Sequence, residues 1–345
     1  MSNRKFVLLG NVDHGKSTLA GRILVNIGDV TEREIEKMKI EANKRSMQSW
    51  WLAYLMDTDD SERERGKTVD FIYKSIKWND VDMTLIDVPG HRNYVPHMAN
   101  GCSMADIAVV IISARKGEYE AGLKGQTTEH VVIARGMGIS TLIVVINKMD
   151  TIDWDMTIYQ QIKDNFTKKI KGLQFKQIEF VPISAYDGTN VTTGTTEHDT
   201  PLMKMICDIP YAPPNHREIV VDETNLVTTK FLFYYLPTLI TSGLECTVHT
   251  KDKQYDIVIV GFCNDGKPFI CNNNNPKKPI DTLIQFKDQP KIVYSNLIVR
   301  LHDQTIGLAR IVPSDKVNFQ LMVIKSRQIA KNKAEKLQEQ ENKNR

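Results

Sequence analysis

Short runs of aliphatic and β-branched residues at 6–9, 83–86, 107–112, 142–146 and 179–183 alternate with longer stretches whose apolar positions recur at helical spacing. Alternation of that kind predicts a mainly parallel sheet covered by helices, a doubly wound α/β domain. Pro210, Pro213 and Pro214 cannot continue a helix, so this domain is expected to span 1–212, with a linker over 213–225. Beyond it the pattern changes to short strands at 229–235, 244–250, 255–260, 292–294 and 297–301, separated by turn residues and without a helical repeat. One small all-β barrel over 226–325 accounts for them. Four asparagines at 272–275, followed by Pro276-Lys277-Lys278-Pro279, offer nothing apolar to bury and read as a floppy loop in that domain. The stretch 326–345 is helix-prone but nearly without apolar residues, so a disordered or undocked helical tail is expected.

Composition narrows the class without choosing a function. With 41% hydrophobic and 25% charged residues over 345 positions, the chain is an ordinary soluble sequence of about two domains. Basic residues number 45 against 42 acidic, and the tail alone carries an excess equal to the +3 of the whole chain. The body has no bias that would draw it to DNA or a membrane. Cys102, Cys207, Cys246, Cys263 and Cys271 are odd in number and form no C-x-x-C pair, which argues against a disulfide framework and a Cys-based zinc site. His97, His130, His198 and His216 lack metal-ligand spacing, and Trp50-Trp51 is expected to pack against a helix. No apolar run approaches a membrane span, and the run at 6–9 is too short for a signal peptide, so the cytoplasm is the expected compartment.

The chemistry concentrates at strand ends. Gly10-Asn11-Val12-Asp13-His14-Gly15-Lys16-Ser17 satisfies G-x-x-x-x-G-K-[ST] after an apolar strand, and Thr18 continues it into a helical stretch. Successive backbone N–H groups in such a loop point at phosphate oxygens, Lys16 charges the β- and γ-phosphates, and the Ser17 hydroxyl is a Mg²⁺ ligand. Asp87-Val88-Pro89-Gly90-His91 ends another strand and supplies a carboxylate near Mg²⁺, a Gly90 amide for the γ-phosphate, and His91 where a water-orienting residue is needed. Asn147-Lys148-Met149-Asp150 follows a third strand. The Asp150 carboxylate can accept from both N1–H and the exocyclic amine of guanine, which favours GTP over ATP. Ser184-Ala185-Tyr186, after the next strand, is expected to offer a backbone donor to guanine O6.

These motifs, in this order, resemble the translational GTPases, in particular the family of elongation factor 1-alpha and the eukaryotic class II release factor. The resemblance implies a P-loop GTPase domain that binds GTP and GDP with Mg²⁺ held by Ser17, Thr68 and Asp87, with Thr68 lying in the switch I segment Arg63-Glu64-Arg65-Gly66-Lys67-Thr68-Val69. His91, Lys16 and Thr68 are then the catalytic set. Elongation factors commonly carry an isoleucine where this chain has Lys67, forming an apolar gate with a residue equivalent to Val12. Gly66-Lys67-Thr68-Val69, with residues 112–118, 125–130 and Trp154, looks most like the termination GTPase. The second half is similar to that family's last barrel, through Ser242-Gly243, Val248-His249-Thr250, Val299-Arg300 and 303–307, and the barrel adjoining the GTPase domain is missing. The implied activity is hydrolysis of GTP to GDP and phosphate in termination, slow until the ribosome places His91. Implied partners are the ribosome and its RNA, which the tail could touch, and a class I release factor or related tRNA-shaped protein at the barrel of a monomer. A GTP-dependent competitor without turnover is the alternative; an aminoacyl-tRNA carrier or a metabolic GTPase is weaker.

Overall fold

The computed structural model describes residues 3–56, 72–90, 94–124, 126–194 and 200–210, and beyond them 218–220, 226–233, 243–250, 254–264, 267–269, 280–288, 290, 292–294, 296–301 and 304–312. The switch I segment with Lys67 and Thr68, His91, most of the expected linker, the loop at 272–279 and the tail lie outside them. The chain divides into two compact units, Met1–Asn215 and His216–Arg345.

The first unit is built on a six-stranded sheet of β1 (Arg4–Leu9), β2 (Ile72–Trp78), β3 (Val81–Asp87), β4 (Ile107–Ser113), β5 (Thr141–Asn147) and β6 (Gln177–Pro182), in the order β2-β3-β1-β4-β5-β6. All neighbours pair parallel except β2, which runs antiparallel to β3. β4 and β5 are buried at every residue, because helices cover both faces of a parallel sheet and leave no polar side to alternate. The sequence pattern misses β2. It is an edge strand, buried only at Ile76, so its apolar signal is weak, but Asn79 and Asp80 both take positive φ and make the tight turn into β3.

Helices α1 (Lys16–Asn26), α2 (Glu32–Lys44), α3 (Val95–Met104), α4 (Glu118–Lys124), α5 (Gln126–Gly136), α6 (Met156–Ile170) and α7 (Leu202–Asp208) complete the unit. Thr31 and Glu34 start α2 with a reciprocal capping box, which satisfies two N-terminal amides at once. α2 is short of apolar residues and buries only Met38 and Ala42, against Trp51, Leu52 and Tyr54 of the segment that follows it. Trp51 thus packs on a helix as expected, with Lys39 and Arg22 over its ring at 5.0 and 5.8 Å, and Trp50 packs, half-buried, against the same cluster. Gly21 in the middle of α1 makes this packing possible: a methyl group there would overlap the main-chain carbonyl of Leu52.

The second unit is a closed six-stranded antiparallel barrel. Its strands β8 (Leu226–Phe233), β9 (Leu244–His249), β10 (Gln254–Asn264), β12 (Ile280–Phe286), β14 (Asn296–Leu301) and β15 (Gln304–Ile311) run in the order β10-β12-β8-β15-β14-β9, and β9 pairs back onto β10. Closure leaves no open edge and encloses a core that includes Phe231, Ile257, Phe262, Phe286 and Val299. β11 (Lys267–Phe269) only extends β10. The run at 292–294 forms the expected strand, β13, but pairs with β7 (Glu218–Val220) in a two-stranded sheet apart from the barrel's own, while Val293 joins the barrel's core. β12 is absent from the predicted strands although Pro279 precedes it and Asp288 and Pro290 follow it, and it is buried at five of its seven residues.

A stability test follows from Gly21. Helix propensity alone would make Gly21→Ala more stable by about 1 kcal/mol. The overlap with Leu52 reverses that sign, so the variant is expected to lose about 1–3 kcal/mol, read as a lower urea midpoint at unchanged slope.

Candidate nucleotide-binding site

The loop between β1 and α1 has a shape that only glycine permits at its two ends. Gly10 has φ +144°, and a Cβ there would overlap the Ile111 carbonyl; Gly15 has φ +93°, and a Cβ there would strike the Asn147 amide. With both ends pressed against β4 and β5, the loop lies at the C-terminal edge of the sheet, where ligands of open α/β sheets bind. Lys16 follows at the start of α1, buried, with its ammonium donating to the Asn11 carbonyl at 3.0 Å. Burial lowers its proton affinity, opposed by the nearby carboxylates of Asp87 and Asp13. A Cβ on Gly90 would push against the same ammonium and crowd the Gly10 carbonyl.

Ser17 donates its hydroxyl to Asp87 Oδ2 at 2.8 Å. Asp87 is fully buried at the end of β3. A hydroxyl and a carboxylate oxygen brought together beside a lysine form the hard, oxygen-only donor set that Mg²⁺ prefers, so these residues fit the ion.

Asn147 joins the parts. Its Nδ2 donates to the His14 carbonyl at 2.9 Å, and its Oδ1 accepts from the Ala185 amide at 2.9 Å. One side chain thereby fixes the phosphate loop and the loop after β6. Of the backbone amides at 184–186, one of which is expected to reach guanine O6, that of Ala185 donates to Asn147 here. Ser184 is also turned inward, donating to Asp187 Oδ2 at 3.1 Å. Arg22, which carries no motif, reaches from α1 to the Ala185 carbonyl at 3.2 Å and to that of Tyr186.

Between these loops opens a cleft of about 560 Å³, within the range of small-molecule sites. Val12, Asp13, Gly15, Lys16, Ser17 and Thr18 form its phosphate-loop wall, with Gly90 beside them. Asn147, Lys148, Asp150, Ala185 and Tyr186 form the opposite end. Asn11, His14, Ser184 and Asp87 support the walls from behind. Ser49, Trp50 and Ala53, and Arg115 and Glu118, line the cleft as well; the sequence marks Trp50 for helix packing and 112–118 for a family resemblance, and gives none of the five a place at the site.

Two buried histidines brace the phosphate loop from below. His130 accepts from the Gly10 amide through Nδ1 at 3.2 Å, which keeps that nitrogen unprotonated. His14 lies between two carbonyl oxygens, Ile111 and Glu118, each 3.2 Å from a ring nitrogen. Burial, chiefly, and then the nearby Lys16 push His130 down to about 3, and burial likewise lowers His14. The His130 ring is therefore neutral at pH 7, and this residue, read from its spacing as no metal ligand, has a structural task that only the folded chain reveals. Among the described residues there is no cluster of three metal-ligating side chains and no helix long and apolar enough to cross a membrane.

A glycine-bounded phosphate loop facing a carboxylate-bearing loop across one cleft defines a P-loop guanine-nucleotide-binding domain. Residues 1–225 match the family described as Elongation factor Tu GTP binding domain, and the chain belongs to that family. Relatives include elongation factor 1-alpha of Thermofilum pendens, 40% identical over 226 residues that cover 62% of this chain and 52% of that protein. Another is the eukaryotic peptide chain release factor GTP-binding subunit of Schizosaccharomyces pombe, 44% identical over 193 residues, 54% of this chain and 29% of that protein. The chain spans about half the length, or less, of the curated relatives it matches. Among solved structures, the GTPase-like domain of S. cerevisiae Ski7, bound to GDP and inorganic phosphate, has a TM-score of 0.72 over 90% of this chain and 97% of that one. At 13% identity this is a likeness of fold.

Two outcomes test this site. Asn147→Ala strands the His14 carbonyl and the Ala185 amide, each costing about 1–3 kcal/mol if left unpaired, so GTP affinity is expected to fall at least tenfold in a fluorescent-nucleotide titration. For pH, a histidine of depressed folded pKa stabilises the fold above the unfolded value of about 6.5, and that stability is lost as pH falls below it, toward about 3 for His130. The urea midpoint is expected to drop between pH 6.5 and 4, less steeply in His130→Asn, whose Oδ1 can keep the Gly10 bond.

Proposed function

We propose that this chain is a translational GTPase of the termination type, which binds GTP with Mg²⁺ and hydrolyses it to GDP and phosphate on the ribosome. The observation that carries the reading is the Asn147 clip, which ties the phosphate loop to the 184–186 loop, with Lys16, Ser17 and Asp150 lining the one cleft beside it. Residues 1–212 form the GTP-binding domain in this reading, and the barrel over 226–325 carries a class I release factor or a related tRNA-shaped protein.

In the proposed reaction the oxygen of water attacks the γ-phosphorus, the bond to the β-phosphate oxygen breaks, and GDP leaves with the electron pair. Lys16 and the loop amides take up charge on the β- and γ-phosphate oxygens, and the Gly90 amide meets the γ-phosphate. Bound Mg²⁺, held by Ser17 and Asp87 with Thr68, would supply further neutralisation of those oxygens. His91 orients the water. No arginine from the chain itself is assigned to the γ-phosphate, so turnover by the isolated protein is expected to be slow. The proposed setting is the cytoplasm, as a monomer.

A second reading is favoured by the one closed barrel that the described residues of the second unit form: a nucleotide-gated competitor that occupies a release factor or a ribosomal site without turnover. GTP turnover by the purified chain alone, with ribosomes, and with ribosomes plus a class I release factor separates the two. Strong stimulation only in the last mixture, abolished in His91→Ala, is the expected result. Tight GTP binding with no acceleration in any mixture would establish the competitor instead.

A further inference from the structure

We propose that Glu118 is a positioning residue for nucleotide recognition: it pins Lys148 to the wall of the cleft and ties that wall to the phosphate loop. This rests on the reading of the cleft as a guanine-nucleotide site.

Lys148 is hard to hold by itself. Its backbone is left-handed, with φ +65°, and its side chain has four flexible bonds ending in a strongly hydrated charge. Among the described residues the ammonium pairs with the Glu118 carboxylate, at 2.6 Å from Oε2. That carboxylate is itself held. Ser113 donates its hydroxyl to Oε2 at 2.7 Å, and Arg115 approaches Oε1 at 3.2 Å. Ser113 is fully buried at the end of β4, directly across from Asn147 of β5 in the sheet register. The anchor of the Lys148 partner is thus the strand position beside the residue that clips the loops together.

The main chain of the same residue faces the other way. The Glu118 carbonyl lies 3.2 Å from His14 Nε2, so Glu118 touches the phosphate loop through its backbone and the loop after β5 through its side chain. Burial works against a charge on Glu118, but the hydrogen bonds from Lys148 and Ser113 outweigh it and hold the carboxyl below its usual range. An exposed surface pair would contribute little. This pair is only 22% and 27% exposed, and both members line the cleft that Asp150 shares. Lys148 fixed in this way presents its aliphatic stem as part of the wall, at no further entropy cost when a nucleotide binds.

The test is a double-mutant cycle on the full chain, read by equilibrium titration and stopped-flow release of a fluorescent GDP analogue. Glu118→Gln keeps an acceptor for Ser113 and the carbonyl for His14 but removes the ion pair. It is expected to weaken GDP binding about tenfold, mostly through faster release, with an unchanged melting midpoint. Lys148→Met is expected to weaken binding as well, and the double variant to be no weaker than Lys148→Met alone. Wild-type affinity in Glu118→Gln, or effects that multiply in the double variant, would overturn the proposal. Should Glu118→Gln melt early, Ser113→Ala enters the same cycle: a loss of affinity seen only while Lys148 is present supports the assignment, and a loss independent of Lys148 overturns it. Failure of the wild-type chain to bind the GDP analogue would overturn the guanine reading itself, and is told apart because it appears before any substitution is made.

Discussion

The side chain of Asn147 makes two hydrogen bonds in opposite directions, and the nucleotide site depends on both. A carboxamide is suited to this because it has a donor and an acceptor at fixed separation, so the His14 carbonyl and the Ala185 amide are held at a distance set by one planar group. The bonds are buried, and water cannot replace them cheaply. Gly15 belongs to the same arrangement, since only a residue without a Cβ leaves room for the Asn147 amide at that point of the loop. The β4–β5 register then places Ser113 beside Asn147, so support for the loop after β5 also comes from the neighbouring strand.

Around this clip the protein buries several groups that would be costly alone. Lys16, His14 and His130 share one region below the phosphate loop, and burial there disfavours a charge on either imidazole, most strongly on His130. The lysine remains as the positive group aimed at an anion. His130 accepts a bond from Gly10 and His14 reaches two carbonyls, so the loop keeps its shape before any phosphate arrives. A site organised in advance loses less entropy on binding, which is how a short loop can hold a highly charged ligand.

The opposite wall is organised from α1. Arg22 on that helix bonds the carbonyls of Ala185 and Tyr186 and lies over Trp51, while Gly21, its neighbour, admits the Leu52 backbone. The segment that carries Trp50 into the cleft is therefore packed on the helix that begins with Lys16 and Ser17. In the second unit the same economy appears at Gly307, where a side chain would strike the Phe231 ring and the Leu232 carbonyl. The barrel closes by backbone pairing, and Phe231 fills the space that glycine leaves.

Much of this was legible in the order of residues. The phosphate loop, Asp87-Val88-Pro89-Gly90 and Asn147-Lys148-Met149-Asp150 each follow an apolar run, because a buried parallel strand must be apolar throughout and its polar chemistry can appear only where it ends. Local pattern therefore located the doubly wound sheet and both ends of the cleft. It did not locate β2, where Lys74 interrupts the inward face of Ile72, Ile76 and Trp78, nor place residues 292–294 in a sheet apart from the barrel's own, since a strand's partner is not written in its own sequence. Arg22, Trp50, Glu118 and His130 were invisible as site residues for the same reason. Each acts through a contact with a segment far along the chain, and a carboxylate 30 residues from a lysine becomes its partner only when two adjacent strands bring their ends together.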